Sequence, residues 1–186
     1  MDIFDAIYQR QSIGKVKSDP LGREVIEKLL GAAVQAPNHL RVRPWRFIVL
    51  QGEARKRLGE VMAHSKKLET PDAPEVVLDV ERGKPLRAPV VIAVGVDKPQ
   101  DPKVVEIENI CAAAAAVQNL LLAGLSLGLG CMWRTGPAAV DPMVKDFLCL
   151  AANQHLIGFI YIGYPLSESQ AQERPSFIDR TTWMAD

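Results

Sequence analysis

Residues 103–129, KVVEIENICAAAAAVQNLLLAGLSLGL, hold five consecutive alanines and no charge after Glu108. Alanine and leucine are strong helix formers, so the stretch predicts the longest helix of the chain. Its middle is apolar on every side. That places it through the core, where its small residues allow close helix packing. Gln118, Asn119 and Ser126 interrupt it, which fits a buried helix of a water-soluble fold better than a membrane span. Leu127-Gly128-Leu129-Gly130 follows a helix rather than a strand and therefore reads as a helix C-terminus, not a nucleotide loop.

Outward from this helix the pattern alternates. Ile3, Phe4, Ala6, Ile7 and Tyr8 make a short amphipathic helix over 2–11. Ile26, Leu29, Leu30, Ala33 and Val34 recur at three- and four-residue steps between Pro20 and Pro37. Arg46–Leu50 reads as a strand, 53–68 as a polar amphipathic helix, and the segment through Val76–Val80 as helical. Ala88–Val94 is β-branched and free of charge, a fully buried strand. Cys131-Met132-Trp133 is a short strand before the turn Arg134–Pro137, followed by a helix over 140–148 and a strand over Ile157–Ile162. The tail from Pro165 to Asp186 is polar yet carries Phe177 and Trp183, the pattern of an arm that wraps a partner subunit. With no repeat, linker or boundary, the expectation is one domain over 1–186, an α+β or three-layer α/β fold of helices around four short strands.

Composition narrows the function classes. The chain has 186 residues and an equal count of basic and acidic groups, 22 each, which argues against a general nucleic-acid binder. MDIFDAIYQRQS lacks the basic and apolar regions of a signal peptide, and a cytoplasmic protein is expected. Cys111, Cys131 and Cys149 stand in apolar text, read as buried thiols in a reducing compartment. His39, His64 and His155 are scattered, so no metal site and no catalytic triad is expected. Neither GxGxxG behind a strand nor GxxxxGK[ST] occurs.

Three clusters remain. Arg10-Gln11-Ser12 closes the first helix: a guanidinium forks onto phosphate oxygens beside a hydroxyl, although an exposed arginine favoured by the helix dipole has the same appearance. Gln35 precedes, and Asn38, His39, Arg41 and Arg43 fall in, a loop boxed by Pro37 and Pro44, which is either solvated charge or a rigid binding wall. Trp133-Arg134-Thr135-Gly136 is either a core tryptophan with a surface arginine or a corner that stacks on a ring and holds a polyol or phosphate. One phosphorylated aromatic ligand would use all three.

Taken in order, RQS at 10–12, APNHLRVRPWRF at 36–47, Arg87-Ala88-Pro89 entering a strand, Gln118-Asn119 in the alanine-rich helix and GCMWRTG at 130–136 resemble the nitroreductase family of flavoproteins. The similarity runs from residue 1 to about 165 and is greatest to the family's short bacterial, YdjA-like branch of NAD(P)H nitroreductases. The resemblance implies an α+β three-layer sandwich with a central mixed or antiparallel sheet, a homodimer through the long helix with exchanged terminal segments, and FMN at the subunit interface. By position, Arg10, Gln11 and Ser12 would hold the FMN phosphate and ribityl chain. Gln35 and His39 would reach the flavin from the other subunit, and Trp133, Arg134 and Thr135 would complete the pocket. Ala123–Gly128 would border the nicotinamide. The implied activity is transfer of hydride from NAD(P)H through FMN to an electron-poor small-molecule acceptor such as a nitroaromatic or quinone, with no protein acid or base assigned. The alternatives are a flavin-storage or redox-sensing protein without turnover, and a related enzyme of dehalogenation or flavin breakdown. The chain departs from relatives at Gln11, where many have a second arginine, and at Arg43, where the family has glutamine. It also has Ile107 where the short branch tends to have tryptophan.

Overall fold

A computed structural model describes residues 1–167 and 172–185. The elements run α1 (Ile3–Gln9), α2 (Arg23–Ala33), β1 (Trp45–Gln51), α3 (Glu53–Glu69), α4 (Glu75–Gly83), β2 (Val90–Val96), α5 (Glu106–Ser126), β3 (Gly130–Arg134), α6 (Pro137–Val140), α7 (Pro142–Phe147) and β4 (His155–Gly163). Short 3-10 turns lie at His39–Arg41, Lys84–Arg87 and Ile178–Arg180. The strands form one antiparallel sheet in the order β1-β2-β4-β3. The expected α+β three-layer arrangement is present, and its sheet is antiparallel rather than mixed.

Period-two alternation explains the layers. On one face Val90, Ile92, Val94, Val96, Ile160 and Ile162 pack with Leu29 and Ala33 of α2 and with Ala113, Ala116, Val117 and Leu120 of α5. On the other, Val91, Ala93, Phe159 and Tyr161 pack with Leu58 and Met62 of α3, Ala139 of α6 and Val144 of α7. Because β2 is covered on both faces, all seven of its residues are buried, which is why it reads as an unbroken apolar run. It begins at Val90 rather than Ala88, because the ladder ends at the pairs of Val90 with Gln51 and Ile162, and Pro89 before it has no N–H to donate.

The helix expected over 103–129 is shorter. Glu108 accepts a hydrogen bond from the backbone N–H of Val105, fixing the start. At the far end Gly128 adopts a φ of 72°, its N–H bonding Leu125 O while the N–H of Leu129 bonds Gly124 O. This Schellman closure explains the glycine. The helix also does not run through the core. Ala112, Ala113, Ala116, Val117, Leu120, Leu121 and Gly124 are buried, but Ile107, Cys111 and Gln118 are open. An outer layer buries only one side of a helix, and α1 beside it exposes Ile3, Phe4, Ile7 and Tyr8. Among the described residues α5 is the helix long and apolar enough to cross a membrane, and its sheet-facing side is core.

The cysteine expectation is corrected. Cys131 is buried between β3 and α5, whereas Cys111 and Cys149 are exposed. Apolar neighbours in sequence bury a residue only on the inward side of its element. In the tail, Phe177 and Trp183 are exposed, 67% and 84%.

Candidate functional site

The edge strand β3 organises the site. The segment after α1 runs beside it: the N–H of Ile13 donates to Cys131 O at 3.0 Å, and Val16 pairs with Pro165 beyond β4. Arg10, Gln11 and Ser12 are thereby held next to β3. Arg10 and Gln11, with Gln9 and Ile13, line a cavity of about 360 Å³ whose floor is Leu121, Leu125, Leu129 and Cys131. Burial of the Cys131 thiol there pushes its pKa up to about 12. The Arg10 side chain has no hydrogen bond or ion pair among the described residues. Ser12 is exposed.

Trp133 and Arg134 leave β3 on opposite faces, as alternation requires. Trp133 packs half-buried on the α5 side, and its Nε1–H donates to Ile157 O at 3.1 Å. That approach depends on Gly158 at φ 138°, where a Cβ would lie 2.6 Å from the indole nitrogen. Arg134 lies over the Tyr161 ring, 5.5 Å from its centroid. With Thr135 it lines a second cavity of about 320 Å³, walled by Met62, Lys84, Arg87, Pro137, Ala138, Phe159 and Tyr161. Three cations surround this cavity. Lys84 is held by Glu81 at 2.5 Å, while Arg87 and Arg134 make no ion pair among the described residues. Burial raises the Tyr161 pKa, and the Arg134 and Arg87 charges oppose that rise, so both cations act on the phenol. A Cβ at Gly14 would lie 3.5 Å from a terminal nitrogen of Arg134, which puts the strip following Arg10–Ser12 against this arginine.

The other two expected site residues lie elsewhere in the chain. Gln35, at the end of α2, donates to Gly31 O and borders an open depression with Ile3, Ala6, Asn119, Leu122, Ala123 and Ser126. His39 is exposed in its 3-10 turn. The structure thus brings Arg10, Gln11, Ser12, Arg134 and Thr135 to one edge of the sheet and leaves Gln35 and His39 away from it. Of the expected nicotinamide stretch Ala123–Gly128, Ala123 and Ser126 border the Gln35 depression and Leu125 the Arg10 cavity.

Lys84 and Tyr161 were not singled out by the sequence, and Arg87 was given no role in the site. Arg87 was visible only as the residue before a buried strand, and Lys84 belongs to no motif. Tyr161 was hidden in an apolar strand, where the i, i+2 spacing from Phe159 was the available signal. Among the described residues no group of three or more metal-ligating side chains forms. The arrangement suits an anionic ligand with a polyol and a ring: guanidinium and ammonium donors, a hydroxyl, and an aromatic wall.

The model of the nitroreductase family matches residues 7–164. YdjA of Escherichia coli K12, provisionally named an NAD(P)H nitroreductase, is 28% identical over 165 residues, 89% of each chain. Iodotyrosine deiodinase 1 of Sus scrofa is 25% identical over 191 residues, covering 94% of this chain and 65% of that one. A Desulfovibrio desulfuricans nitroreductase homologue solved in complex with FMN superposes with a TM-score of 0.75 at 25% identity, covering 100% of this chain and 98% of that one.

Proposed function

The chain belongs to the nitroreductase family, and on that premise we propose that it is an FMN-dependent NAD(P)H oxidoreductase acting on an electron-poor small molecule such as a nitroaromatic or quinone. Bound FMN would supply two-electron hydride chemistry between the reduced nicotinamide and the acceptor. The observation that carries the reading is the edge of β3, where Arg134, Arg87, Lys84 and Thr135 share one cavity and the Arg10 segment runs alongside. The roles of the protein's groups follow from their chemistry. Arg10, Gln11 and Ser12 would hold the phosphate and polyol by charge-assisted hydrogen bonds, with Lys84 and Arg87 adding positive charge from the other cavity of this edge. Arg134 and Thr135 would orient the ring system, while Trp133 stiffens the end of β3 through its bond to Ile157 O. Tyr161 and Phe159 form an apolar wall that excludes water.

Gln35 and His39 reach the flavin of a second subunit in this reading, because within one chain they stand apart from the Arg134 cavity. The exposed apolar side chains of α1, the open stripe of α5, and Phe177 and Trp183 of the tail support a homodimer with exchanged ends. One domain over 1–186 and a cytoplasmic location belong to the same reading. Flavin-dependent dehalogenation is the second reading, favoured by the similarity to the pig deiodinase.

The test is an FMN titration of the purified protein and of Arg10→Ala. Stoichiometric uptake that weakens at least tenfold in the variant is expected, the loss of a charged phosphate contact. Equal affinity in both proteins would remove Arg10 from the site. Release of iodide from an iodinated phenol under reducing conditions decides the second reading.

A further inference from the structure

The turn between Pro37 and Pro44 is built against its own backbone preferences. Leu40, Arg41 and Arg43 have φ values of 50°, 54° and 49°, three left-handed non-glycine residues within four positions. In that region Cβ crowds the following carbonyl, and glycine or asparagine is the unstrained choice. The surroundings enforce the shape. Asn38 Oδ1 accepts from the Arg43 N–H at 2.8 Å, the N–H groups of Arg41 and Val42 bond Asn38 O and His39 O, and Pro44 and Trp45 are buried at the exit.

Arg41 and Arg43 are exposed, and neither has a hydrogen bond or ion pair from its side chain among the described residues. Nor are the neighbouring anions open to them. Asp97, whose N–H bonds Pro44 O, is held by Arg46 at 2.8 Å and by Gln154. Glu106 is paired with His155 at 2.5 Å, and Glu108 caps Val105. Two guanidinium groups, unneutralised among the described residues, are therefore carried by a turn whose backbone is strained at their own positions, beside His39. Strain of this kind persists where the geometry has a use.

We propose that the Asn38–Arg43 turn is an anion-recognition element, in which Arg41 and Arg43 take a phosphate or carboxylate group on the small molecule that exchanges electrons at the site. It rests on the reading that this turn faces the flavin of the partner subunit, and it names the substrate class: an anionic donor or acceptor. A planar fork suits either oxyanion. The two sources are the 2′-phosphate of NADPH and a carboxylate on the acceptor.

The test uses the FMN-loaded full chain and its R41Q/R43Q variant at low salt. Two ratios of kcat/KM are measured, NADPH over NADH and 4-nitrobenzoate over 4-nitrobenzamide, with equilibrium binding of 2′,5′-ADP and of 4-nitrobenzoate followed separately. At least one ratio, with the matching binding affinity, is expected to fall about tenfold, and less at high salt. A drop confined to NADPH and 2′,5′-ADP assigns the donor phosphate, and one confined to 4-nitrobenzoate assigns the acceptor carboxylate. Arg41→Gly and Arg43→Gly should lower the same ratio while holding or raising the melting temperature, since they relieve the backbone. Unchanged ratios and unchanged binding overturn the proposal and leave the flavin reading standing. A protein that takes up no FMN defeats the flavin reading, and the two binding arms still decide the anion element.

Discussion

Gly124→Ala tests the packing that sets the floor of the Arg10 cavity. An ideal Cβ at Gly124 would sit 2.5 Å from Cys131 Sγ, with Cys131 Cβ and Leu29 Cδ2 next at 3.9 Å. Ordinary contact lies at about 3.5–4.0 Å, so α5 or β3 must shift by about 1 Å. Cys131 is buried and backed by the sheet, which leaves the sulfur little room to yield. Overpacking of this kind costs about 1–3 kcal/mol, offset by up to about 1 kcal/mol of helix propensity gained over glycine. The net expectation is a loss of about 1 kcal/mol, or roughly 2–4 °C in Tm for a chain of this length. Cys131→Ala removes the clashing atom. In the double-mutant cycle Gly124→Ala should therefore be less harmful, or stabilising, beside Cys131→Ala, with a coupling of about 1 kcal/mol. Thermal melts of the four proteins give the answer. A Gly124→Ala protein at least as stable as the parent, or a strictly additive cycle, would refute the close approach of α5 and β3.

Three other outcomes follow from the geometry. Arg134→Gln and Arg87→Gln should each weaken FMN binding about tenfold, more at low salt than at high, because each removes a charge from one cavity; this is read by titration of flavin fluorescence. In thiol labelling Cys131 should stay unmodified until the protein unfolds, since burial holds its thiol protonated, whereas Cys149 reacts in the native state; Cys111, on the open stripe of α5, should be protected only in the proposed dimer. The Glu106–His155 hydrogen bond lowers the Glu106 pKa, with the His155 charge adding to it, so its contribution to stability is present above the ordinary glutamate range and is lost as pH falls through the depressed folded value. A His155→Ala variant should therefore show a shallower acid limb in its stability profile, and an identical limb would contradict the pairing.

How far the residues disclosed the fold depended on what each signal measures. Period and composition report burial along one element, so α2, α3, α4 and the strands were legible from their patterns. The same signal overstated α5, because alanine and leucine mark a helix without saying how many of its sides are covered. Trp133 and Arg134 were read as one cluster from their adjacency, but alternation on β3 sends them to opposite faces. Lys84 and Arg87 become neighbours of Arg134 only through the sheet order, which places β2 and β3 on either side of β4. The strain at Leu40, Arg41 and Arg43 is a backbone property that side-chain identity does not reveal. The two prolines around it were its visible trace.

Anaerobic mixing of the FMN-loaded protein with NADH and with NADPH tests the central claim most directly. The account predicts that the flavin absorbance bleaches within seconds with at least one nicotinamide and returns when a nitroaromatic or quinone is added. A protein that takes up no FMN, or whose bound flavin stays yellow with both donors, would contradict it.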